Sequence, residues 1–155
     1  MTISIKAYNS HPDEVQELRR LAREWHDDFW TFDHLLQTLA RRTCHLLFLQ
    51  VDDVTVGCVL YQLVIDQADI IYVYISPEFR GKHYGLELLK AMEASIRETS
   101  QSHDVQLNLE VRHDNEAAKS LYEKFGMSLI RKIPKYYQAK IDAVVYHKVI
   151  ASKVH

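Results

Sequence analysis

The sequence predicts an α+β layer protein in which helices interrupt a mostly antiparallel sheet. Three observations lead there. β-Branched and alternating apolar runs, bounded by turn residues, recur along the chain. Periodicity orders the elements as β-α-α-β-β-β-α-β-α-β-β. One strand–helix–strand segment in the middle of that order implies a right-handed crossover joining two parallel strands.

Ile3, Ile5 and Ala7 alternate between Thr2 and Tyr8, which reads as a short strand. Ser10-His11-Pro12 punctuates, and Pro12 suits a first helical turn because its missing N–H would be unpaired there anyway. Val15, Leu18, Leu21, Ala22 and Trp25 then recur at helical spacing to about His26. A second short helix should cover roughly Asp33 to Arg42, capped by Thr31 or Asp33. Cys44 to Val51 is an apolar run stopped by Asp52-Asp53, and Val54 to Ile65 reads as its hairpin partner. Ala68 to Ile75 is a third run, ended by Ser76-Pro77 because proline cannot continue a central ladder. From Gly85 onward, Leu86, Leu89, Met92 and Ile96 share a helix face. After the polar stretch Ser100 to Asp104, Val105, Leu107, Leu109 and Val111 alternate strictly. A helix from about Asn115 to Phe125 stops at Gly126, a residue suited to the left-handed end of a helix. Strands over about Met127 to Ile133 and Asp142 to Ile150 close the chain. No repeat, linker or low-complexity segment interrupts, so residues 1–155 are expected to form a single domain.

Composition narrows function by exclusion. A chain of 155 residues, 47% hydrophobic and 26% charged, can bury a core without disulfides or metals. A formal net charge of −2 and the lack of a long basic run give no reason to expect nucleic-acid binding. The opening MTISIKAYNSHPDE lacks an apolar signal region, and the apolar runs are too short for a bilayer. A cytoplasmic protein with no membrane association is the expectation, as a monomer or a homodimer. Cys44 and Cys58 lie in apolar strands and should be buried, reduced thiols. The histidines are scattered, with no HExxH or paired CxxC, so no metal is expected.

Chemistry concentrates in the crossover, IIYVYISPEFRGKHYGLELLKAMEASI. A strand ends at Ser-Pro and turns tightly into a helix. Such a turn presents unpaired N–H groups and the positive end of the helix dipole, which together suit phosphate. Taken alone, it is equally well a plain strand–helix turn with solvated charges. The run Arg80-Gly81-Lys82-His83-Tyr84-Gly85 resembles the pyrophosphate loop of the GNAT acetyltransferase superfamily, Arg/Gln-x-x-Gly-x-Gly/Ala. His83 departs from it, standing where that family usually has glycine. A side chain there would crowd the pyrophosphate, force a different φ, or donate a hydrogen bond to it.

A longer stretch strengthens the resemblance. Leu109 to Met127 reads LEVRHDNEAAKSLYEKFGM and is similar to the later GNAT motif LEVRxxNxxAxxLYxxxGF, with Met127 replacing the last aromatic. Tyr136-Tyr137 followed by Asp142-Ala143 is similar to the YY…DA pattern of the family's last strands. The closest branch is that of the ribosomal-protein N-terminal alanine acetyltransferases and the protein N-terminal acetyltransferases. The resemblance covers about residues 68 to 150; the N-terminal third matches only in element order. It implies the GNAT acyl-CoA N-acyltransferase fold, a mixed, mostly antiparallel sheet of about seven strands with helices on both faces. It also implies acetyl-CoA as cosubstrate and an amine as acceptor.

Acetyl transfer needs a deprotonated amine, a polarised thioester, a stabilised thiolate and alignment. Alternation puts Glu110 on the strand face opposite Leu109 and Val111, near the C-terminal end where ligands of such crossovers collect. That position fits an exposed ion pair with Arg112 or a catalytic carboxylate; the resemblance implies the general base, acting directly or through a water. Tyr122 lies two helical turns after Asn115 and fits core packing; the resemblance implies the general acid for the CoA thiolate. Asn115 is a helix cap and, by resemblance, a CoA contact. The resemblance further implies that Val73, Tyr74 and Ile75 hold the pantetheine arm through their backbones, with the Ile75 N–H polarising the thioester oxygen. It places the pyrophosphate on Arg80, Gly81, Lys82, His83, Tyr84, Gly85 and Leu86.

Two acceptors compete. The motif branch and Tyr136-Tyr137, which suit a narrow entrance, favour a protein N-terminal α-amine. The segment Glu24 to Asp33 interleaves acids with aromatics, including Asp28 and Trp30, and suits a small cationic amine or a lysine. It is also an ordinary polar loop anchored by aromatics. Deprotonating an α-amine at neutral pH is about 3.4 kcal/mol cheaper than deprotonating lysine, because their reference pKa values differ by about 2.5 units. A non-catalytic acyl-CoA-binding domain on the same fold is the remaining alternative; the presence of both Glu110 and Tyr122 argues against it.

Overall fold

The computed structural model describes residues 2–24, 31–137 and 140–153. Its elements run β1 (Ile3–Ala7), α1 (Pro12–Ala22), α2 (Phe32–Leu39), β2 (Cys44–Val51), β3 (Val54–Val64) and β4 (Gln67–Ile75). A 3-10 turn (Pro77–Phe79) leads to α3 (Tyr84–Ser100), β5 (Val105–Arg112), α4 (Glu116–Phe125), β6 (Ser128–Tyr137) and β7 (Ile141–Ile150). The seven strands form one sheet in the order β1-β2-β3-β4-β5-β7-β6. β1–β2, β2–β3, β5–β7 and β6–β7 pair antiparallel. β4 and β5 pair parallel through Gln67, Ala68 and Asp69, so the expected crossover is the β4–α3–β5 unit.

The chain forms two compact units. The first comprises residues up to Gln62 with Ile71–Met92. Its core joins Leu18 and Leu21 of α1, Leu35 of α2, Leu46 and Phe48 of β2, Cys58 and Leu60 of β3, and Tyr74 of β4. Leu47, Leu49 and Val51 on the other face of β2 are buried too. That explains why β2 reads as a continuous apolar run instead of an alternating one. Each fully buried leucine contributes about 1.5–3 kcal/mol relative to exposure. Pro12 sits in the first turn of α1, and Thr31 Oγ1 caps α2 by accepting from the His34 N–H at 3.1 Å. Both cysteines are buried and free, and burial pushes the Cys58 thiol up to about 12.

The second unit comprises Leu63–Ile70 and the chain from Glu93 on. Val105, Leu107, Leu109 and Val111 are buried, whereas Glu110 and Arg112 are exposed, as their alternation requires. Tyr122 and Phe125 of α4 are buried, and the Tyr122 ring centroid lies 6.1 Å from that of Tyr146 on β7. Gly126 ends α4 at φ 100, the left-handed conformation its position called for.

Several boundaries differ from the sequence expectation. α1 ends at Ala22 instead of near His26, which lies outside the described residues. α2 begins one residue earlier and ends at Leu39, short of Arg42. Residues Ile3–Ala7 form a strand, yet all five are exposed because β1 is a sheet edge. β6 continues to Tyr137 instead of stopping at Ile133. Pro134 signals a stop, but β6 is the other edge of the sheet, where an absent N–H costs no ladder bond. The β6–β7 register shifts between Ile133 and Tyr137, and Lys135 takes φ 51 within that irregularity.

Candidate active site

In the first unit, β4 approaches β3 closely because residue 57 is glycine. A Cβ there would meet Ile75 Cδ1 at 2.6 Å and the Tyr74 carbonyl oxygen at 2.8 Å. The Ser76 N–H then donates to the Val56 carbonyl at 2.8 Å. After the 3-10 turn, Arg80 reaches back: its Nε donates to the Ile75 carbonyl at 2.8 Å, and its guanidinium lies 5.5 Å from the Tyr74 ring centroid. Lys82 Nζ lies 5.5 Å from the Phe79 ring centroid, and Phe79 packs against buried Tyr84.

Gly81 (φ 78) and His83 (φ 64) both adopt left-handed backbone, and α3 follows at once. The His83 carbonyl accepts from the Glu87 N–H at 3.2 Å, opening the helix. A Cβ on Gly81 would touch nothing within 4 Å, so backbone conformation and not space explains that glycine. His83 keeps the φ a glycine would take; histidine is among the side chains that tolerate it best. The turn therefore has the left-handed geometry and the helix N-terminus that suit a phosphate.

In the second unit, Glu110 stands on the exposed face of β5, opposite Val145 in the β7 ladder. The Glu110 carboxylate acts on the Tyr136 phenol and holds it above its ordinary value. Tyr136 comes from the irregular part of β6, so the bulge aims it across β7 at Glu110. Asp69 pairs with Asn108, two residues before Glu110 on the same strand face. Partial burial, then the Glu110 charge, raises the Asp69 carboxyl above its usual range. Arg112 forms two 3.1 Å hydrogen bonds to Asp114.

Among the other expected site residues, Asn115 caps α4: its Oδ1 accepts from the Ala118 N–H at 3.2 Å. Tyr74 is buried in the first core, so any ligand contact it makes is through backbone. Val73, Gly85 and Leu86 are half-buried and Tyr136 is exposed. Asp28 and Trp30 lie outside the described residues, and Tyr137 enters only as the β6 partner of Ile141. Sequence reasoning missed Asp69; its signal is alternation with Ala68 and Ile70, combined with the parallel register that brings it beside the Glu110 face. It also placed Glu24 only within an acceptor-facing acidic segment. Glu24 Oε1 instead accepts from Tyr74 Oη at 3.0 Å and from Ser76 Oγ at 2.7 Å. No helix among the described residues is long and apolar enough to cross a membrane.

The profile of the acetyltransferase (GNAT) family matches residues 12–127. A Bacillus subtilis (strain 168) protein, provisionally named ribosomal protein bS18-alanine N-acetyltransferase, is 33% identical over 99 residues, 63% of this chain. The match spans 64% of that relative's length. The ribosomal protein bS18-alanine N-acetyltransferase of Haemophilus influenzae is 28% identical over 125 residues, 80% of this chain and 82% of its own. The crystal structure of the ribosomal-protein-S18-alanine N-acetyltransferase from Escherichia coli superposes with a TM-score of 0.83 at 19% identity, over 97% of this chain and 95% of that one. A crossover turn with left-handed backbone at a helix N-terminus, a seven-stranded sheet shared with a solved acetyltransferase, and a family match over most of its length lead to one conclusion: this chain belongs to the GNAT acetyltransferase family.

Proposed function

We propose that this chain, working as one domain in the cytoplasm, transfers the acetyl group of acetyl-CoA directly to a protein N-terminal α-amine. Glu110 takes a proton from the amine, directly or through a water. The amine nitrogen attacks the thioester carbonyl carbon, the C–S bond breaks, and the departing thiolate takes the Tyr122 phenol proton. The Ile75 N–H polarises the carbonyl oxygen, and the backbones of Val73, Tyr74 and Ile75 align the pantetheine arm. The turn from Arg80 to Leu86 carries the pyrophosphate, with Asn115 as a further CoA contact. Tyr136 and Tyr137 are assigned to the entrance for the α-amine; a small cationic amine would instead draw on Asp28 and Trp30.

The observation that carries this is the Glu110–Tyr136 pair: a carboxylate on the solvent-facing side of β5 that acts on a phenol from the strand beyond its neighbour. The names of the bacterial relatives support the α-amine. A second acceptor, a small cationic amine or lysine, is favoured by Asp69, whose added negative charge beside Glu110 suits an extra cation. The test is thiol release from acetyl-CoA with alanine-starting peptides, lysine peptides with blocked N-termini, and polyamines, for wild type and Glu110→Gln. Turnover is expected on the free N-termini and lost in the variant. Turnover on polyamines or lysine alone selects the second acceptor. CoA binding without turnover on any amine makes the chain a binding domain.

A further inference from the structure

The end of β4 is held by a carboxylate that the reaction itself does not use. Glu24 follows α1, and its Oε1 receives two hydrogen bonds, from Tyr74 Oη at 3.0 Å and Ser76 Oγ at 2.7 Å. Those donors flank Ile75. Glu24 Oε2 lies 3.8 Å from the Arg20 guanidinium, which also donates to the Thr55 carbonyl on β3 at 2.6 Å. Arg80 Nε holds the Ile75 carbonyl, Ser76 N–H is tied to Val56, and the absent side chain of Gly57 admits Tyr74 and Ile75. Every restraint converges on the peptide around residue 75. Its neighbours' side chains are fixed by one oxygen atom.

We propose that Glu24 is a positioning residue for catalysis: by gripping Tyr74 and Ser76 together it fixes the Ile75 amide against the thioester oxygen of acetyl-CoA. The assignment rests on the Ile75 N–H being the carbonyl donor, as put forward above. A strand end tethered only by its ladder is free to twist. A hydrogen bond to a developing oxyanion tolerates little misplacement, because its contribution depends on the donor being preorganised. One carboxylate oxygen shared by residues on both sides of the donor restricts that twist. Gripping the hydroxyls needs an acceptor and no negative charge, so glutamine retains the essential atom.

The experiment separates the clamp from the donor. Acetyl-CoA carrying a ¹³C-labelled thioester carbonyl is bound to wild type, Glu24→Gln and Glu24→Ala, and the carbonyl stretch is read by infrared difference spectroscopy beside kcat and KM. In wild type the stretch is expected to fall below that of free acetyl-CoA. Glu24→Ala should return it toward the free value and lower kcat about 10- to 100-fold, with KM for acetyl-CoA nearly unchanged. Glu24→Gln should recover most of the shift and of kcat. Should Glu24→Ala fold poorly, the double variant Tyr74→Phe/Ser76→Ala removes the same two hydrogen bonds with the carboxylate in place and should give the same loss. A shifted wild-type carbonyl that stays shifted in Glu24→Ala or in the double variant overturns the clamp and leaves the donor standing. So does a glutamine variant as impaired as alanine. An unshifted wild-type carbonyl overturns the Ile75 donor, and the clamp with it.

Discussion

β4 and β5 are neighbours in one sheet, and they serve opposite ends of the proposed reaction by opposite means. The C-terminal end of β4 sends its side chains into structure: Tyr74 lies in the core, and Ser76, just beyond the strand, bonds Glu24. What it offers a ligand is peptide backbone. β5 does the reverse. Its backbone is paired residue for residue with β7 from Val105 to Arg112, and what it offers is the Glu110 side chain. A role carried by a side chain can be removed by changing one residue type. A role carried by a backbone survives most substitutions on its own strand and fails when a neighbour moves it.

The sharpest contrast comes from deleting chemistry on the side-chain route. Glu110→Gln is expected to lower kcat about 100- to 10,000-fold with the thermal midpoint unchanged, and to recover partly at higher pH as more amine becomes neutral. Tyr122→Phe should fall by a similar factor, keep CoA affinity, and show no such recovery, because the missing proton belongs to the thiolate. Steady-state rates across pH on the best acceptor check both, and full activity of Tyr122→Phe would falsify the acid role.

On β4 the damaging change lies on the neighbouring strand. Gly57→Ala adds a Cβ within 2.8 Å of the Tyr74 carbonyl oxygen, which is backbone and cannot swing aside. The strand must shift, with an expected cost of about 1–3 kcal/mol in stability and about 10- to 100-fold in kcat. Denaturant melts and kinetics on one preparation measure both. If activity is retained, the β4 backbone is not the working surface.

A third test sets the two cores side by side. Tyr74 in the first and Tyr146 in the second are both pushed up to about 12, by burial first and then by their partners Glu24 and Glu123. Below pH about 10 both phenols are neutral whether folded or not, so their contribution is fully present. Above that, the unfolded chain ionises first, and stability should fall by about 1–3 kcal/mol per tyrosine as pH approaches 12. Urea midpoints against pH should flatten by one step in Tyr74→Phe and by one in Tyr146→Phe. The smallest effect is expected at His83→Gly. The φ of 64 stays satisfied, so stability should move by no more than about 1 kcal/mol. CoA affinity by calorimetry at two pH values tells whether the imidazole meets phosphate.

What was legible in the sequence follows from the same contrast. Strand and helix identities could be read wherever local rules decide them: Asp52-Asp53 at the hairpin, Thr31 at a cap, Gly126 at a helix end, strict alternation along β5. Alternation exposes Glu110 and Arg112 alike, and only the resemblance to the family singled Glu110 out. The partnership of Tyr136 with Glu110 was not legible, since it depends on a bulge on the far side of β7. Nor were the bonds from Tyr74 and Ser76 to Glu24, which join residues 50 and 52 positions apart. Nor was the extension of β6 past Ile133, since a proline after it carries no information about whether its strand is central or at an edge.

That edge has a consequence for how copies of the protein meet one another. β6 exposes Leu129 and Ile130, and an unpaired strand edge with apolar side chains invites a second chain to extend the sheet. Three residues along it oppose that. Pro134 offers no N–H, Lys135 breaks the extended line, and its own N–H is already given to Asp142 at 2.7 Å. Lys132, ion-paired with the same Asp142 at 3.1 Å, leaves a charge on the rim. The irregularity that carries Tyr136 also spoils the template for fibre-like stacking, so straightening β6 would open this edge to a second chain.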